Sequence, residues 1–292
     1  MSPVRVWEEP PEIITDTKSS RFYCLGLFIY ILPLLSQFQS GRVLICYDQS
    51  MKNDYDAIAR FYDAFVGDPA EKAAWLKKLV QKYQPHAKNV LELACGTGNI
   101  LKILSDDYVV AGLDNSAGML QIAQSKLPHA TFIEADMSDF NLPDKYDVVL
   151  CVYDSINHLS SFSQWESLLD AAARNLNRNG LFIFDMNTVA YLEKINRSEP
   201  SLSSFEGGTL KINARPGKDT LSVLDIEVTE KKVDGTTETY TSEIPETSFD
   251  LAKVRSTLGK HFDILDQLDE RAYKSDYYDS KVFFVCRLVS RT

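Results

Sequence analysis

Cysteine is scarce in this chain and shows no metal-binding pattern. The 292 residues contain five cysteines, an odd number, with no C-x-x-C spacing. Reduced, buried thiols in a cytoplasmic protein are the simplest interpretation. The four histidines are far apart in the sequence, so no metal site is predicted. The S-x-x-K, G-x-S-x-G and P-loop signatures are also lacking, which disfavours the enzyme classes that depend on them.

Positive charge is in deficit. The chain has 31 lysines and arginines against 41 aspartates and glutamates, a formal net charge of −10. Nucleic acids and anionic membranes attract basic surfaces, so neither is predicted as a main partner, and stable membrane insertion is not expected. A small-molecule substrate suits this composition better. Nothing in the sequence indicates an oligomeric state.

Long apolar runs are lacking, with one partial exception at residues 22–35. This run is too short to span a bilayer comfortably, and Pro33 interrupts it. Acidic residues precede it and no A-x-A cleavage site follows, which argues against a signal peptide. We predict that residues 1–46 are a non-catalytic extension. The alternatives are an interfacial or partner-binding helix, or translated sequence upstream of a start at Met51.

What the sequence does contain is an apolar strand, a glycine turn and a helix start at residues 90–104. This unit is a general nucleotide-binding device. The dinucleotide pattern G-x-G-x-x-G, begun at Gly96, would require a small residue where Leu101 stands. Glu92 lies where a pyrophosphate would bind, and its carboxylate would repel phosphate but suit a ligand with an ammonium and a sulfonium. Asp114, which ends a second apolar run, is placed to bind a ribose. These features predict S-adenosylmethionine (SAM) as the ligand.

Residues 92–98, Glu-Leu-Ala-Cys-Gly-Thr-Gly, resemble the first motif of the class I SAM-dependent methyltransferases, [DE]-x-G-x-G-x-G. Ala94 replaces the first glycine, so a Cβ would face the ligand. The resemblance implies a Rossmann-like fold, methyl transfer as the activity and SAM as the cofactor. The cofactor-binding residues that it implies in this loop are Glu92, Ala94, Cys95, Gly96 and Gly98.

A third acid extends the pattern. Asp136 follows Asp114 by the same 22 residues that separate Asp114 from Glu92, and it comes after another predicted strand. In the family that this chain resembles, an aspartate here accepts the adenine amino group, and the next backbone N–H reaches a ring nitrogen. Asp136 and Met137 match that pair. Asn115 and Met119, which follow the second strand, are further implied cofactor contacts, although a helical methionine also suits a plain core position.

Residues 51–65 are predicted to form an amphipathic helix, because apolar residues recur at three- and four-residue steps. The segment resembles the lid helix of small-molecule methyltransferases. The resemblance implies that Tyr55, Arg60 and Tyr62 close over the methionine end of SAM, with Arg60 pairing with the cofactor carboxylate. The alternative is that the tyrosines belong to the core and Arg60 to a solvated face.

The rest of the chain predicts a doubly wound α/β fold with a mostly parallel, seven-stranded, Rossmann-like methyltransferase sheet and an antiparallel β insert. A fourth strand is predicted at residues 146–153, a helix at 163–177 and a fifth strand at 181–187. Alternating segments at 210–214, 221–229 and 237–241 indicate the insert. The predicted organisation is an extension (1–46), a SAM-binding core (47–190), a substrate-covering insert (191–250), and a C-terminal helix and strands that complete the sheet (251–292).

The acceptor side is predicted just past the fourth strand. The combination D-S-I-N-H-L and F-D-M-N resembles a subgroup of small-molecule methyltransferases that includes sugar N,N-dimethyltransferases; the likeness covers residues 50–190. Candidate catalytic residues are His158, Asn157 and Tyr153. An amine acceptor needs mainly positioning, whereas a hydroxyl or carbon acceptor needs a base such as His158. We predict a nitrogen acceptor. The alternatives are O- or C-methylation with His158 as base, a nucleotide-binding oxidoreductase, or a non-catalytic SAM-binding domain; a histidine bonded to backbone would also account for His158.

Overall fold

The computed structural model describes residues 55–269 and 281–289. Its contacts divide the chain into Met1–Lys52 and Asn53–Thr292, and everything described belongs to the second unit. The predicted extension at residues 1–46 lies outside the described residues. Within the described ranges, no helix is both long and apolar enough to cross a membrane.

The main sheet has seven strands in the order β10-β11-β5-β4-β1-β2-β3. The first five strands in the chain are parallel to one another, and β11 runs antiparallel to both of its neighbours, β5 and β10. This confirms the predicted mostly parallel sheet and the predicted antiparallel last strand. The strands are β1 (Asn89–Leu93), β2 (Val109–Asp114), β3 (Thr131–Glu134), β4 (Tyr146–Cys151), β5 (Leu176–Asn187), β10 (Phe262–Asp269) and β11 (Lys281–Leu288).

Helices cover both faces of this sheet because its central strands are apolar on both sides. One face packs against α2 (Ala70–Tyr83), α3 (Asn99–Leu104) and α4 (Ala117–Lys126), and the other against α5 (Phe162–Asn175) and α7 (Leu251–Leu258). The chain order reverses between β1 and β4. In open α/β sheets, ligands bind at the carboxyl ends of the strands at such a switch point. Glu92 near the end of β1 and Tyr153 just after β4 lie there.

The insert is a four-stranded antiparallel sheet in the order β6-β7-β8-β9. One of its faces buries an apolar cluster shared with the segment that precedes α2. Ile58 and Phe61 from that segment pack against Ile226 and Ile244 of the sheet. The insert therefore contacts the predicted lid segment directly. Its strands are β6 (Ser201–Phe205), β7 (Gly208–Arg215), β8 (Ser222–Lys231) and β9 (Thr237–Glu246), and α6 (Val189–Ile195) leads into them.

Two local expectations were wrong, and one strand was missed. The lid segment is not one helix: its described part is a turn, a 3₁₀ turn at Ala59–Phe61 and the four-residue helix α1 (Tyr62–Phe65). The serine-rich strand β6 lacks the alternating pattern and was not predicted; pairing with β7 forms it. Helix α5 ends at Asn175, two residues early, because the Asn175 amide donates to Ala171 O and accepts from Leu142 N, which closes the helix.

Candidate active site

The glycine loop after β1 has a backbone that small residues accommodate best. Ala94, Gly96 and Gly98 have φ values of 50°, 53° and 75°, in the left-handed region that disfavours side chains. A Cβ built on Gly96 would lie 3.8 Å from the Tyr62 ring, so that ring covers the loop. The turn thus brings backbone and an aromatic ring together at the end of β1.

The Cys95 side chain serves packing in this loop. A Cβ built on Gly112 of β2 would lie 2.6 Å from Cys95 Sγ, so the thiol fills the space that this glycine leaves. Burial raises the pKa of Cys95 well above its ordinary value, and the nearby Asp114 and Glu92 charges raise it further. A neutral, inert thiol follows.

Glu92 is a buried acid with an unused oxygen. Its residue is 3% exposed, and its Oε2 has no hydrogen-bond partner among the described residues. Burial raises the pKa of this carboxyl well above its usual range, although Lys72 acts in the opposite direction. A buried acceptor without a donor is costly, and an ammonium would supply both the hydrogen bond and the opposite charge. The site therefore fits the amino group of SAM.

Asp114 connects the end of β2 to the glycine loop. Its Oδ2 accepts from Gly96 N at 2.8 Å, and its Oδ1 accepts from Ser116 N at 2.9 Å. Burial raises the pKa of Asp114, and these two backbone donors oppose the rise. Each carboxylate oxygen can accept a further bond, so the pair of hydroxyls on a ribose could be received here.

The remaining predicted cofactor contacts lie on the neighbouring turns. Asp136 follows β3 and is exposed; its Oδ1 accepts from Ser138 N and Oγ, both at 2.7 Å. Met137 is half-buried against the core and Met119 is buried in α4. Asn115 is exposed beside Asp114.

Two aspartates fasten the lid segment to both cofactor loops. Asp56 Oδ1 accepts from Ser116 Oγ at 2.5 Å and from Gly118 N at 3.2 Å, at the start of α4. Asp63 Oδ1 accepts from Thr97 Oγ1 at 2.6 Å in the glycine loop, and its Oδ2 pairs with a lysine of α4. Sequence reasoning missed both residues, although the repeated Tyr-Asp pairs seven residues apart carried the signal.

Arg60 is not directed at the ends of the parallel strands. Its guanidinium pairs with Glu230 of β8 at 2.7 Å and lies over the Tyr240 ring of β9 at 4.7 Å. It thus joins the lid segment to the insert. The pairing of Arg60 with a cofactor carboxylate stays a prediction, and it would require the guanidinium to leave Glu230.

His158 lies between the lid segment and the insert. Its Nε2 is 3.1 Å from the Tyr55 hydroxyl, and its Nδ1 is 3.4 Å from Pro245 O. A carbonyl only accepts, so in the neutral ring Nδ1 carries the proton and Nε2 accepts from Tyr55. The Tyr55 ring also meets Tyr62 edge-on, with centroids 6.1 Å apart. The predicted site residues Tyr55, Tyr62 and His158 are therefore together.

Asn157 is fully buried and its side chain is committed to backbone. Its Nδ2 donates to Thr247 O at 2.6 Å and to Asn187 O at 3.1 Å, while its Oδ1 accepts from Asn187 N at 2.9 Å. The residue therefore holds the ends of β5 and β9 to the turn after β4. This is a positioning role, with no amide atom left for an acceptor.

The turn after β4 has two strained residues. Tyr153 and Asp154 have φ values of 61° and 54°, where residues other than glycine are uncommon. The Lys72 ammonium lies 3.8 Å from the centroid of the Tyr153 ring. Burial raises the Tyr153 pKa to about 12, with the Glu92 charge adding to it, so the hydroxyl is neutral and available as a hydrogen-bond donor.

Four charged side chains form a network behind this turn, one pair buried and the other half-buried. Lys72 of α2 pairs with Asp185 of β5 at 3.1 Å, and Lys281 of β11 pairs with Asp154. Asp185 also accepts from Asp154 N at 2.9 Å, which stabilises the strained turn. Burial lowers the pKa of Lys72, opposed by Asp185; for Asp154, burial is outweighed by Lys281 and the pKa falls. The two lysines and the two aspartates are thus matched one to one.

Sequence reasoning missed Lys72, Lys281 and Glu246 as parts of this site. Lys72 carried a signal, because it lies on the apolar face of α2 with Leu76 and Leu79 at helical spacing. Glu246 ends β9 and is 2% exposed. Within the described residues, no group of three or more histidine, cysteine, aspartate or glutamate side chains is arranged to hold a metal.

Comparisons with known proteins agree with this geometry. Residues 90–180 match a family model described as a methyltransferase domain. A dTDP-3-amino-3,6-dideoxy-alpha-D-glucopyranose N,N-dimethyltransferase of Streptomyces fradiae is 35% identical over 138 residues, which is 45% of this chain and 54% of that protein. A dTDP-3-amino-3,4,6-trideoxy-alpha-D-glucopyranose N,N-dimethyltransferase of Streptomyces venezuelae is 30% identical over 44% of this chain and 55% of its own. The matched region thus spans about half the length of these curated relatives.

Solved structures share the fold over a longer range. An S-adenosylmethionine-dependent methyltransferase from Clostridium acetobutylicum has a TM-score of 0.70 at 20% identity, covering 81% of this chain and 99% of that one. A sugar N-methyltransferase from Streptoalloteichus has a TM-score of 0.67 at 22% identity, covering 86% and 99%. Residues 90–180 of this chain thus match the methyltransferase domain model, and the described residues have the Rossmann-like fold that these solved methyltransferases share.

Proposed function

We propose that this protein transfers a methyl group from SAM to a nitrogen of a small-molecule acceptor, with amino sugars as the leading substrate class. The observation that carries the cofactor assignment is the orphaned Oε2 of Glu92 beside a loop that Asp114 holds at Gly96. The relatives that supply the acceptor class are named as N,N-dimethyltransferases of amino sugars linked to dTDP.

The residues present suit each part of the cofactor. Glu92 would take the amino group, Asp114 the ribose hydroxyls, and the turn at Asp136 and Met137 the adenine. Tyr62 would cover the loop from the lid side. When bound, SAM supplies an activated methyl group on a sulfonium, and the chain's task is to align the acceptor nitrogen with it and exclude water.

The acceptor side is built by three elements that meet near Tyr55 and His158. The lid segment contributes the tyrosine, the turn after β4 contributes the histidine, and β9 contributes Pro245 O. Because Tyr55 and Pro245 already bond both ring nitrogens, His158 suits orientation of the acceptor better than proton removal. This favours a nitrogen nucleophile over the hydroxyl or carbon acceptor that would require a base at His158.

The experiment is methyl transfer from radiolabelled SAM to dTDP-3-amino-3,6-dideoxy-α-D-glucopyranose, with the matching 3-hydroxy sugar nucleotide as the paired control. Transfer of the radiolabelled methyl group to the amino sugar, with none to the hydroxyl sugar, would support the proposal. Labelling of the hydroxyl sugar alone would favour O-methylation with His158 as base, and no cofactor binding at all would contradict the proposal.

We also propose, as the sequence predicts, that residues 1–46 are a non-catalytic extension, that residues 47–190 carry the SAM site and that residues 191–250 cover the substrate. The cluster of Ile58 and Phe61 with Ile226 and Ile244 supports a covering role for the insert. Cytoplasmic location is proposed on the three described cysteines, which are buried free thiols and suit a reducing compartment.

A further inference from the structure

Glu246 is a second buried acid with an unused oxygen. It is the last residue of β9, is 2% exposed, and its Oε2 has no hydrogen-bond partner among the described residues. Its backbone is fixed on both sides: Pro245 O contacts His158 Nδ1 at 3.4 Å, and Thr247 N donates to Asn157 O at 2.7 Å. The carboxyl is therefore held where the insert meets the turn after β4.

A second orphaned acceptor lies beside it. Asn187 Nδ2 donates to Asp154 Oδ2 at 2.8 Å, and since a carboxylate only accepts, this bond fixes which end of the amide is oxygen. The other end, Asn187 Oδ1, is buried without a partner among the described residues. The Asn187 amide also hydrogen-bonds the Glu246 carboxyl, which places the two side chains next to each other. The two oxygens that still lack a donor, Glu246 Oε2 and Asn187 Oδ1, point to a ligand that brings N–H groups.

Charge balance points the same way. Lys72 and Lys281 pair with Asp185 and Asp154, so the two lysines and two aspartates cancel. Neither Glu246 nor Glu92 forms an ion pair with a described residue. If Glu92 receives the amino group of SAM, Glu246 remains as the carboxylate available to a second cation.

Among the described residues, charged and titratable groups from several elements act on Glu246. Asp154 and Lys281 act on it directly, Tyr55 is close enough to feel its charge, and His158 lies next to Asp154. Burial raises the pKa of Glu246 to about 8, with Asp154 adding to the rise and Lys281 opposing it. An acid titrating in this range is well matched to exchange a proton with an amine near neutral pH.

We propose that Glu246 holds the ammonium of an amine acceptor, together with Asn187 Oδ1, and takes its proton before methyl transfer. This rests on the proposed function and adds a residue to it. The ammonium N–H bond breaks and the proton forms an O–H bond at Glu246, leaving a neutral amine. The nitrogen lone pair then forms the new N–C bond, while the C–S bond of the methyl donor breaks and its electron pair stays on sulfur. The proton on Glu246 leaves to water before the next turnover.

The test compares Glu246→Gln and Glu246→Asp with Glu243→Gln, a control on the same strand. Glu243 is exposed and its carboxylate pairs with Arg215, away from the site. Methyl transfer from radiolabelled SAM is measured from pH 6 to 9 with two amine probes, dTDP-3-amino-3,6-dideoxy-α-D-glucopyranose and D-glucosamine. S-adenosylhomocysteine affinity is measured in parallel by calorimetry.

We expect Glu246→Gln to lower kcat/KM by about 10²-fold or more, as for loss of a general base. On the acidic side of the pH–rate profile, the pH at which kcat/KM falls should rise toward the pKa of the free amine in Glu246→Gln. In Glu246→Asp this pH should match that of the wild type, with lower activity throughout. S-adenosylhomocysteine affinity should stay within about twofold in all variants, and Glu243→Gln should behave as wild type. A substrate-free readout accompanies these. The loss of thermal stability between pH 5 and 8 should be smaller in Glu246→Gln, because in this range the unfolded chain ionises Glu246 freely while the folded state keeps the carboxyl protonated.

If Glu246→Gln had the same kcat/KM as the wild type and the same dependence of kcat/KM on pH, the inference would be overturned. A wild-type protein that binds S-adenosylhomocysteine but methylates neither amine would also overturn it, while leaving SAM binding intact. Failure of the wild type to bind S-adenosylhomocysteine would instead refute the proposed function on which the inference rests.

Discussion

Asp63 of the lid segment accepts a 2.6 Å hydrogen bond from the Thr97 hydroxyl in the glycine loop. Thr97 is 1% exposed, so this bond fixes the lid to the loop from the inside. Asp56 repeats the arrangement at the loop after β2. The lid and the two cofactor loops are thus fastened together by short side-chain bonds at two points.

The first prediction concerns this fastening. Asp63→Ala should weaken S-adenosylhomocysteine binding by roughly 1–2 kcal/mol, because the lid loses hydrogen bonds to Thr97 and Asn99. Asp106→Ala, an exposed aspartate between α3 and β2, is the control. Titration calorimetry on both variants measures the difference; equal affinities would show that the Asp63 bonds do not contribute to cofactor binding.

The second prediction separates stability from binding at Glu92. Its pKa is raised by burial, so the folded state resists an ionisation that the unfolded chain undergoes freely above its ordinary pKa of about 4.5. Stability should therefore fall as pH rises above that value, and Glu92→Gln should remove this fall.

At pH 7.5 we expect Glu92→Gln to unfold at higher urea concentration than wild type and yet bind S-adenosylhomocysteine more weakly, by roughly 1–3 kcal/mol. Urea unfolding at pH 5 and 7.5 with parallel calorimetry measures both effects. A variant that loses both stability and affinity would mean that the Glu92 carboxylate is stabilised in the free protein.

The third prediction concerns the Lys72–Asp185 pair. Removing one partner leaves a buried charge uncompensated, so Lys72→Met should lower the free energy of unfolding by roughly 3–5 kcal/mol. The double variant Lys72→Met/Asp185→Asn should lose less than the sum of the single variants, which urea unfolding of all three can establish. Strict additivity would show that the two charges are not coupled.

The fourth prediction concerns His158. His158→Ala should reduce turnover of an amine acceptor by less than about tenfold, well below the 10²–10⁴-fold typical of losing a general base. Tyr55→Phe, which removes only the hydroxyl bonded to the ring, should have a comparable effect. If His158→Ala abolished turnover with cofactor affinity intact, His158 would be the base and a hydroxyl or carbon acceptor would be favoured.

The cofactor side could be predicted from sequence because it is built from repeated local units. Glu92 and Asp114 lie at the carboxyl ends of β1 and β2, and Asp136 lies just after β3; parallel strands bring such positions to one edge of the sheet. Strand, turn and acid are neighbours in the chain, so their spacing alone predicted their meeting.

The acceptor side could not be predicted in the same way. Lys72, Lys281 and Glu246 come from α2, β11 and β9, and only tertiary packing brings them to one place. Arg60 shows the same limit: its placement depends on Glu230 of the insert, whose pairing with the lid has no sequence signal. Asn157, singled out by its position after β4, holds backbone through contacts with Asn187 and Thr247 far along the chain.

The most direct test is titration of the 292-residue chain with S-adenosylhomocysteine, alongside Asp114→Asn and the control Asp106→Asn. Asp114 receives Gly96 N and Ser116 N and is the proposed partner of the ribose. We predict one binding site in the wild type and in Asp106→Asn, and affinity weaker by roughly 1–3 kcal/mol in Asp114→Asn. No binding by the wild type, or the same affinity in all three proteins, would contradict a cofactor site at the carboxyl ends of β1 and β2.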